Sequence, residues 1–176
     1  MRFVKFTLIG LIGITLAFFS LGFFHPSFQY ENQVEVQASV EDSYRIFTNE
    51  SLAHEWLYGY KGQEILKGKP LIPGSRFLMK FDESGRSYEF IEELVAVKEN
   101  EKFIFDMETD FFNGKVEVYF EGDISTTTIK AFTTVEAHNL FYKSMFYILK
   151  NGMSERAQAQ YEDLKDLIEK KSLTDH

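Results

Sequence analysis

Cysteine is absent from the 176 residues. Its absence excludes a disulfide framework, a thiolate metal site and a lipid anchor on a cysteine behind the apolar start of the chain, and it leaves the redox compartment open. Proline occurs only 3 times, and each reads as a break: Pro26 stops a helix, and Pro70 and Pro73 punctuate a strand-rich region. Positive charge is in the minority, with 19 basic against 27 acidic residues and a net charge of −8. Without Arg2 and Lys5 the balance is 17 against 27, or −10. Such a chain is ill-suited to nucleic acid and to anionic lipid head groups. A phosphate loop, a Ser/His/Asp set, internal repeats and low-complexity tracts are also missing.

What the sequence has in quantity is apolar side chain: 44% hydrophobic residues, with 19 Phe. At this length, folding removes ~68–70% of the unfolded surface, enough for one cored domain plus an appendage. The appendage is residues 1–24. Arg2 and Lys5 precede an uncharged run from Phe6 to Phe24. As a helix this run covers ~28 Å, close to a bilayer's hydrocarbon thickness. Bulky aromatics surround Ala17, so no small-x-small cleavage site follows, and the segment is expected to be an uncleaved anchor. Positive charge on its N-terminal side predicts a single-pass protein with the domain outside the cytoplasm. Residues 25–32 read as a linker, 33–171 as the domain and 172–176 as a disordered tail.

In the domain, Val34, Val36 and Ala38 alternate with polar residues as in a half-buried strand. Ser39, with Asp42 three residues on, opens a short helix bearing Val40, Tyr44 and Phe47. A second short helix is expected over Ser51–Tyr58. From Gln63 to Glu136 the period is two, broken by turns at Asp82–Gly85, Lys98–Glu101, Phe112–Gly114 and Gly122–Thr127, so about six strands form an antiparallel meander. From Asn139 to Lys171 the period becomes helical: Phe141, Met145, Leu149, Met153, Tyr161, Leu164 and Ile168 form one stripe, with Ala157 in the gap. That helix is roughly 45–50 Å long and needs a surface of matching length. The expected architecture is α+β, a curved antiparallel sheet wrapped around the long C-terminal helix.

Several stretches strengthen this reading: Val34–Phe47 as a first strand and helix, Trp56, Pro73-Gly-Ser-Arg-Phe77 as a glycine entry to a meander strand, Thr126–Thr128 before a late strand, and Leu164-Lys165 with Glu169 at a helix end. Over residues 33–171 the chain resembles the START-like superfamily (SRPBCC), which includes Bet v 1-type allergens and the polyketide cyclase/dehydrase and lipid-transport group. The resemblance implies a helix-grip fold with an apolar cavity between sheet and helix. It brings no shared catalytic residues, and the N-terminal anchor departs from the mostly soluble members.

The candidate ligand-binding set is Trp56 on the second short helix, Phe77, Met79, Phe81, Tyr88, Phe90, Phe103, Phe105, Met107, Val118 and Phe120 on the concave face, and Phe141, Met145 and Leu149 on the long helix. Phe and Met repack around varied ligands, although the same residues can simply fill a core. The expected partner is a small apolar molecule or lipid, with no cofactor and no metal. The alternatives are a cyclase or hydratase using a cavity carboxylate, and an envelope interaction module with a closed core. Of Glu92 and Glu93 one must face the cavity if alternation holds, and Glu92 is the weak catalytic candidate. Asp106, Glu108, Asp110 and Glu117 fit the acidic positions of a calcium loop, but Phe111 stands where glycine is needed and the flanks are strands. His54 and His138 lack ligand spacing, and Ser125–Thr128 reads as a turn. Gly152 marks a tight approach or a kink in the long helix.

Overall fold

The computed structural model describes residues 2–173. Helix α1 is Arg2–Phe24, strand β1 is Ser27–Val36 and helix α2 is Val40–Phe47. A 3₁₀ turn at Glu50–Leu52 leads into α3, Ala53–Trp56. Six strands follow: β2 (Tyr60–Lys67), β3 (Arg76–Glu83), β4 (Arg86–Lys98), β5 (Lys102–Glu108), β6 (Phe112–Gly122) and β7 (Thr127–Ala137). Helix α4, Leu140–Ser172, closes the described chain.

The meander is continuous from β2 to β7, and β1 pairs antiparallel with β7 along its whole length. The resulting order is β1-β7-β6-β5-β4-β3-β2, one curved sheet with helices on its concave side. Alternation is clear in β3, where Phe77, Met79 and Phe81 are buried and Arg76, Leu78 and Lys80 are not. The Ser39 hydroxyl accepts from the Asp42 backbone N–H at 3.0 Å, so the cap read from the sequence starts α2.

Two expectations are corrected. Residues 27–32 are not linker, because β1 begins at Ser27 and only His25 and Pro26 separate it from α1. Asn32, taken as a polar linker residue, is buried and donates to the Ser154 carbonyl and the Gln158 side chain of α4. Polarity at 27–32 reflects a strand that bonds to a helix, which period-two reading alone does not separate from a loop. The stripe of α4 also does not face the sheet throughout. Leu164, Leu167 and Ile168 are buried against it, whereas Phe141 and Leu149 are exposed. The helix extends through Ser172, and of the expected tail, residues 174–176 lie outside the described residues.

The core forms two groups. One joins β1, β6, β7, α2 and the end of α4 around Val36, Ile46, Val118, Phe120, Ile129, Leu164 and Ile168. The other joins β2–β4 and α3 around Tyr60, Phe77, Met79, Phe81 and Leu94. The two are bridged by side chains such as Leu57 and Phe105 that remain half-buried.

Ile168 is fully enclosed, so Ile168→Ala should cost about 2–5 kcal/mol in urea unfolding. Leu149→Ala, at an exposed site, should cost less than ~1 kcal/mol in the same assay. Equal losses would contradict the division of α4 into a packed and an open half.

Candidate functional site

Between the two core groups lies a cavity of about 340 Å³, within the range of small-molecule sites. Sheet curvature produces it: α4 packs along β1 and against α2 and α3. The concave faces of β3–β5 are therefore left without a helix pressed onto them. Nine of the expected residues line the cavity: Trp56, Phe77, Met79, Phe81, Tyr88, Phe90, Phe103, Phe105 and Met107. Much of their packing is aromatic. Phe81 stacks between Tyr88 at 5.2 Å and Phe90 at 5.5 Å, and Phe103 meets Phe105 at 5.8 Å.

Five expected residues are not brought to the cavity. Val118 and Phe120 are fully consumed by the core under α2, where Phe120 packs on Tyr44 and Phe47. Phe141, Met145 and Leu149 belong to the first half of α4, which runs beside α1 instead of over the sheet. The helix contributes Ala157, Gln160 and Tyr161 in their place. A stripe read along a helix does not reveal where the underlying sheet ends, and that boundary decided the error. Phe47, Leu57 and Tyr60 also line the cavity. For Phe47 and Leu57 the signal was present, since the apolar faces of the short helices had to point inward, but nothing in the sequence distinguished core from cavity; Tyr60 opens β2.

Glu92 settles the question of strand phase. It shares the face of Tyr88, Phe90 and Leu94, and the bulge in β4 falls beyond it, at Leu94–Ala96. Its cross-strand neighbours are Phe77 and Met107. Among the described residues it has no hydrogen-bond or ion-pair partner. Burial alone pushes its pKa up to about 7. Its residual exposure is to the cavity, while Glu50 and Arg156, the other charged residues lining it, are exposed to solvent. Tyr60 is pushed up to about 12 by burial first and then by Glu50 and Glu92. Burial also raises Tyr161, with Tyr30 adding to the effect. The indole N–H of Trp56 is buried without an acceptor. Three polar groups, Glu92, Tyr161 and Trp56, thus line an apolar space without satisfying one another.

One rim is tied by a polar cluster. The Arg156 guanidinium on α4 and the Tyr88 hydroxyl both donate to Glu83 at the β3–β4 hairpin. Burial raises the Glu83 carboxyl, but these hydrogen bonds and the guanidinium charge outweigh it and hold its pKa below the ordinary value. Arg156 also lies over the Tyr58 ring at 5.5 Å.

The remaining candidates lie away from the cavity. Glu93 and Glu108 flank Arg76 on the convex face at 3.4 and 2.9 Å, and Asp106 lies on the same side. Lys115 reaches Glu117 at 3.4 Å. Asp110 is exposed in the β5–β6 turn, where its carbonyl meets His138. His54 lines a separate shallow depression. In Ser125–Thr128, the backbone N–H groups of Ser125 and Thr126 are held by the Asp123 side chain, which defines a turn. Gly152 has open space around it and no close approach to explain it.

No family model matches the chain, and no curated protein matches it in sequence. Solved structures do match its shape. Ara h 8.0201 superposes with a TM-score of 0.64 at 10% identity, over 81% of this chain and 97% of that one. Norcoclaurine synthase from Thalictrum flavum, solved with dopamine and hydroxybenzaldehyde, gives 0.60 at 14% identity, over 81% and 86%. The di-domain ARO/CYC protein StfQ of the steffimycin biosynthetic pathway gives 0.67 at 12% identity, over 84% of this chain but only 52% of that one, so this chain spans about half of it. With the seven-stranded sheet, the two short helices and the long closing helix, these superpositions establish that the chain has the START-like, Bet v 1-type helix-grip fold.

Proposed function

We propose that this is a membrane-tethered binding protein for a small apolar molecule that carries one polar group. The observation behind this reading is the cavity itself. Its wall is aromatic and half-buried, and its one deep carboxylate, Glu92, faces apolar neighbours. A filled core would not leave Phe90, Phe103, Phe105 and Met107 partly accessible. That norcoclaurine synthase, a protein of similar shape, was solved with small aromatic molecules is consistent with such a ligand.

The tether in this reading is α1. The stretch Phe3–Phe24 is long and apolar enough to cross a membrane and is almost wholly exposed. Its last turn is integrated with the domain: Gly22 is buried, and its N–H donates to the Ser144 hydroxyl at 3.1 Å. Cleavage near residue 25 would remove that contact, which favours a retained anchor. Arg2 and Lys5 then orient the domain away from the cytoplasm, and protease added to intact cells reads this orientation directly.

The direct test is mass spectrometry of solvent extracts from purified full-length protein. A stoichiometric apolar compound should be present and should be lost from Phe105→Trp, which fills the cavity. Adding that compound at a hundredfold excess over Kd should stabilise the native chain by ~2.7 kcal/mol. Equal recovery from wild type and Phe105→Trp would place the compound outside the cavity and defeat the reading.

Acid–base chemistry at Glu92 is the second reading, favoured by its pKa of about 7. In either reading the carboxyl binds its proton more tightly folded than unfolded, so stability falls as pH rises from about 4.5 to about 7 and is flat above. The full effect is on the order of 3 kcal/mol. Glu92→Gln should abolish that segment of the pH–stability curve. Identical curves for the two proteins would mean that Glu92 is solvated.

A further inference from the structure

Helices α1 and α4 touch at three successive levels. Phe18 meets Phe141 at 5.6 Å, the Gly22 N–H donates to Ser144 at 3.1 Å, and His25 stacks on Tyr147 at 3.9 Å. Both segments advance together through these contacts, so α4 starts alongside α1 and runs in the same direction. The approach is close: a Cβ on Gly22 would lie 2.6 Å from the Ser144 hydroxyl and 2.7 Å from the Leu140 carbonyl. Phe18 stands seven residues before His25, which is ~10 Å along the helix. If α1 leaves the bilayer near His25, the first turn of α4 lies about that far below the same surface.

The chemistry of this half of α4 fits that position. Leu140, Phe141, Ile148 and Leu149 are 42%, 51%, 57% and 50% exposed, and Phe111 in the adjacent β5–β6 turn is 46% exposed. Phe111 packs edge-on against Tyr142 at 5.2 Å, which joins the turn to the helix. From His138 to Ser154 the only charged residues are Lys143 and Lys150, in a chain whose net charge is −8. Acidic residues resume at Glu155, where α4 passes over the sheet. Tyr142 and Tyr147 add amphipathic rings of the kind found at head-group level.

Building on the reading of α1 as an anchor, we infer that the first half of α4 is a second membrane element, its first turns dipping into the leaflet on the domain's side alongside α1. Its occupant is the bilayer: apolar side chains enter the acyl boundary while lysine stems reach back to the head groups. The same helix then leaves the leaflet and lines the cavity with Ala157, Gln160 and Tyr161. A ligand moving between lipid and cavity would have α4 as a continuous wall.

Because the chain has no cysteine, each introduced one is a unique labelling site. The full-length protein is reconstituted in phosphatidylcholine vesicles, with and without phosphatidylglycerol, and labelled with a nitrobenzoxadiazole at Phe141→Cys, Ile148→Cys or Leu149→Cys. Ile9→Cys reports on the anchor, and Ile124→Cys, at the far end of the sheet, reports on water. Brominated acyl chains should quench Phe141→Cys severalfold more than Ile124→Cys and to a degree approaching Ile9→Cys, with Ile148→Cys and Leu149→Cys, just past the level of His25, quenched to an intermediate degree. Quenching at Ile9→Cys with none at any α4 site would overturn the inference while leaving the anchor standing. Lack of quenching at Ile9→Cys as well would overturn both. Ile148→Cys and Leu149→Cys keep the test decisive if Phe141→Cys folds poorly, since both sites are exposed.

Discussion

The rest of the molecule depends on how α4 is held over β1. Two kinds of bond hold it. Leu164, Leu167 and Ile168 drive the end of the helix into the core. Upstream, Gln158 accepts from the Gln33 backbone N–H and donates to the Gln33 carbonyl, while Asn32 donates to Gln158 and to the Ser154 carbonyl. Glu169 accepts from the Gln37 backbone N–H. Side-chain amides thereby satisfy the open edge of a sheet that would otherwise present unpaired groups. By fastening the helix to this edge, they set its distance from the opposite half of the sheet. The cavity is the space that remains.

Helix α4 consequently does two unlike jobs in sequence. Its first half has Ser144 buried against α1 and apolar side chains facing outward. Its second half has an apolar seam facing inward and charge facing outward. Apolar residues recur along the full length, yet they point to different surroundings. Periodicity measures the direction of a stripe relative to the helix axis and carries no information on what the stripe meets. Phe141, Met145 and Leu149 therefore looked equivalent to Leu164 and Ile168 and were not.

Much of the fold was legible because its signals are local. Alternation in β3, the Ser39 cap, and turns such as Asp82–Gly85 depend on neighbours a few residues apart. The concave face followed from the same alternation, which is why eight of its residues reached the cavity. Tertiary pairing was harder to read. Residues 27–32 looked like linker because Ser27, Gln29 and Asn32 are polar, and their partners, Glu136, Thr134 and Ala131, lie about a hundred residues away. Tyr30, Tyr60 and Tyr161 gave no sign of converging on one space, for the same reason.

The polar groups inside the cavity are costly where they stand. A buried donor or acceptor without a partner forfeits its hydration, and burial raises the pKa of Glu92 for the same reason. Of the polar groups in this space, the Trp56 indole N–H is buried without a partner, a bond that a bound molecule would supply. Trp56 is also the only tryptophan in the chain, and it lines the cavity. Its fluorescence, followed while a brominated apolar compound is added to the full-length protein, is the most direct measure of occupancy. Saturable quenching at one equivalent is the result expected of a ligand-binding cavity. Quenching that rises linearly without saturation, as for free tryptophan in solution, would contradict it.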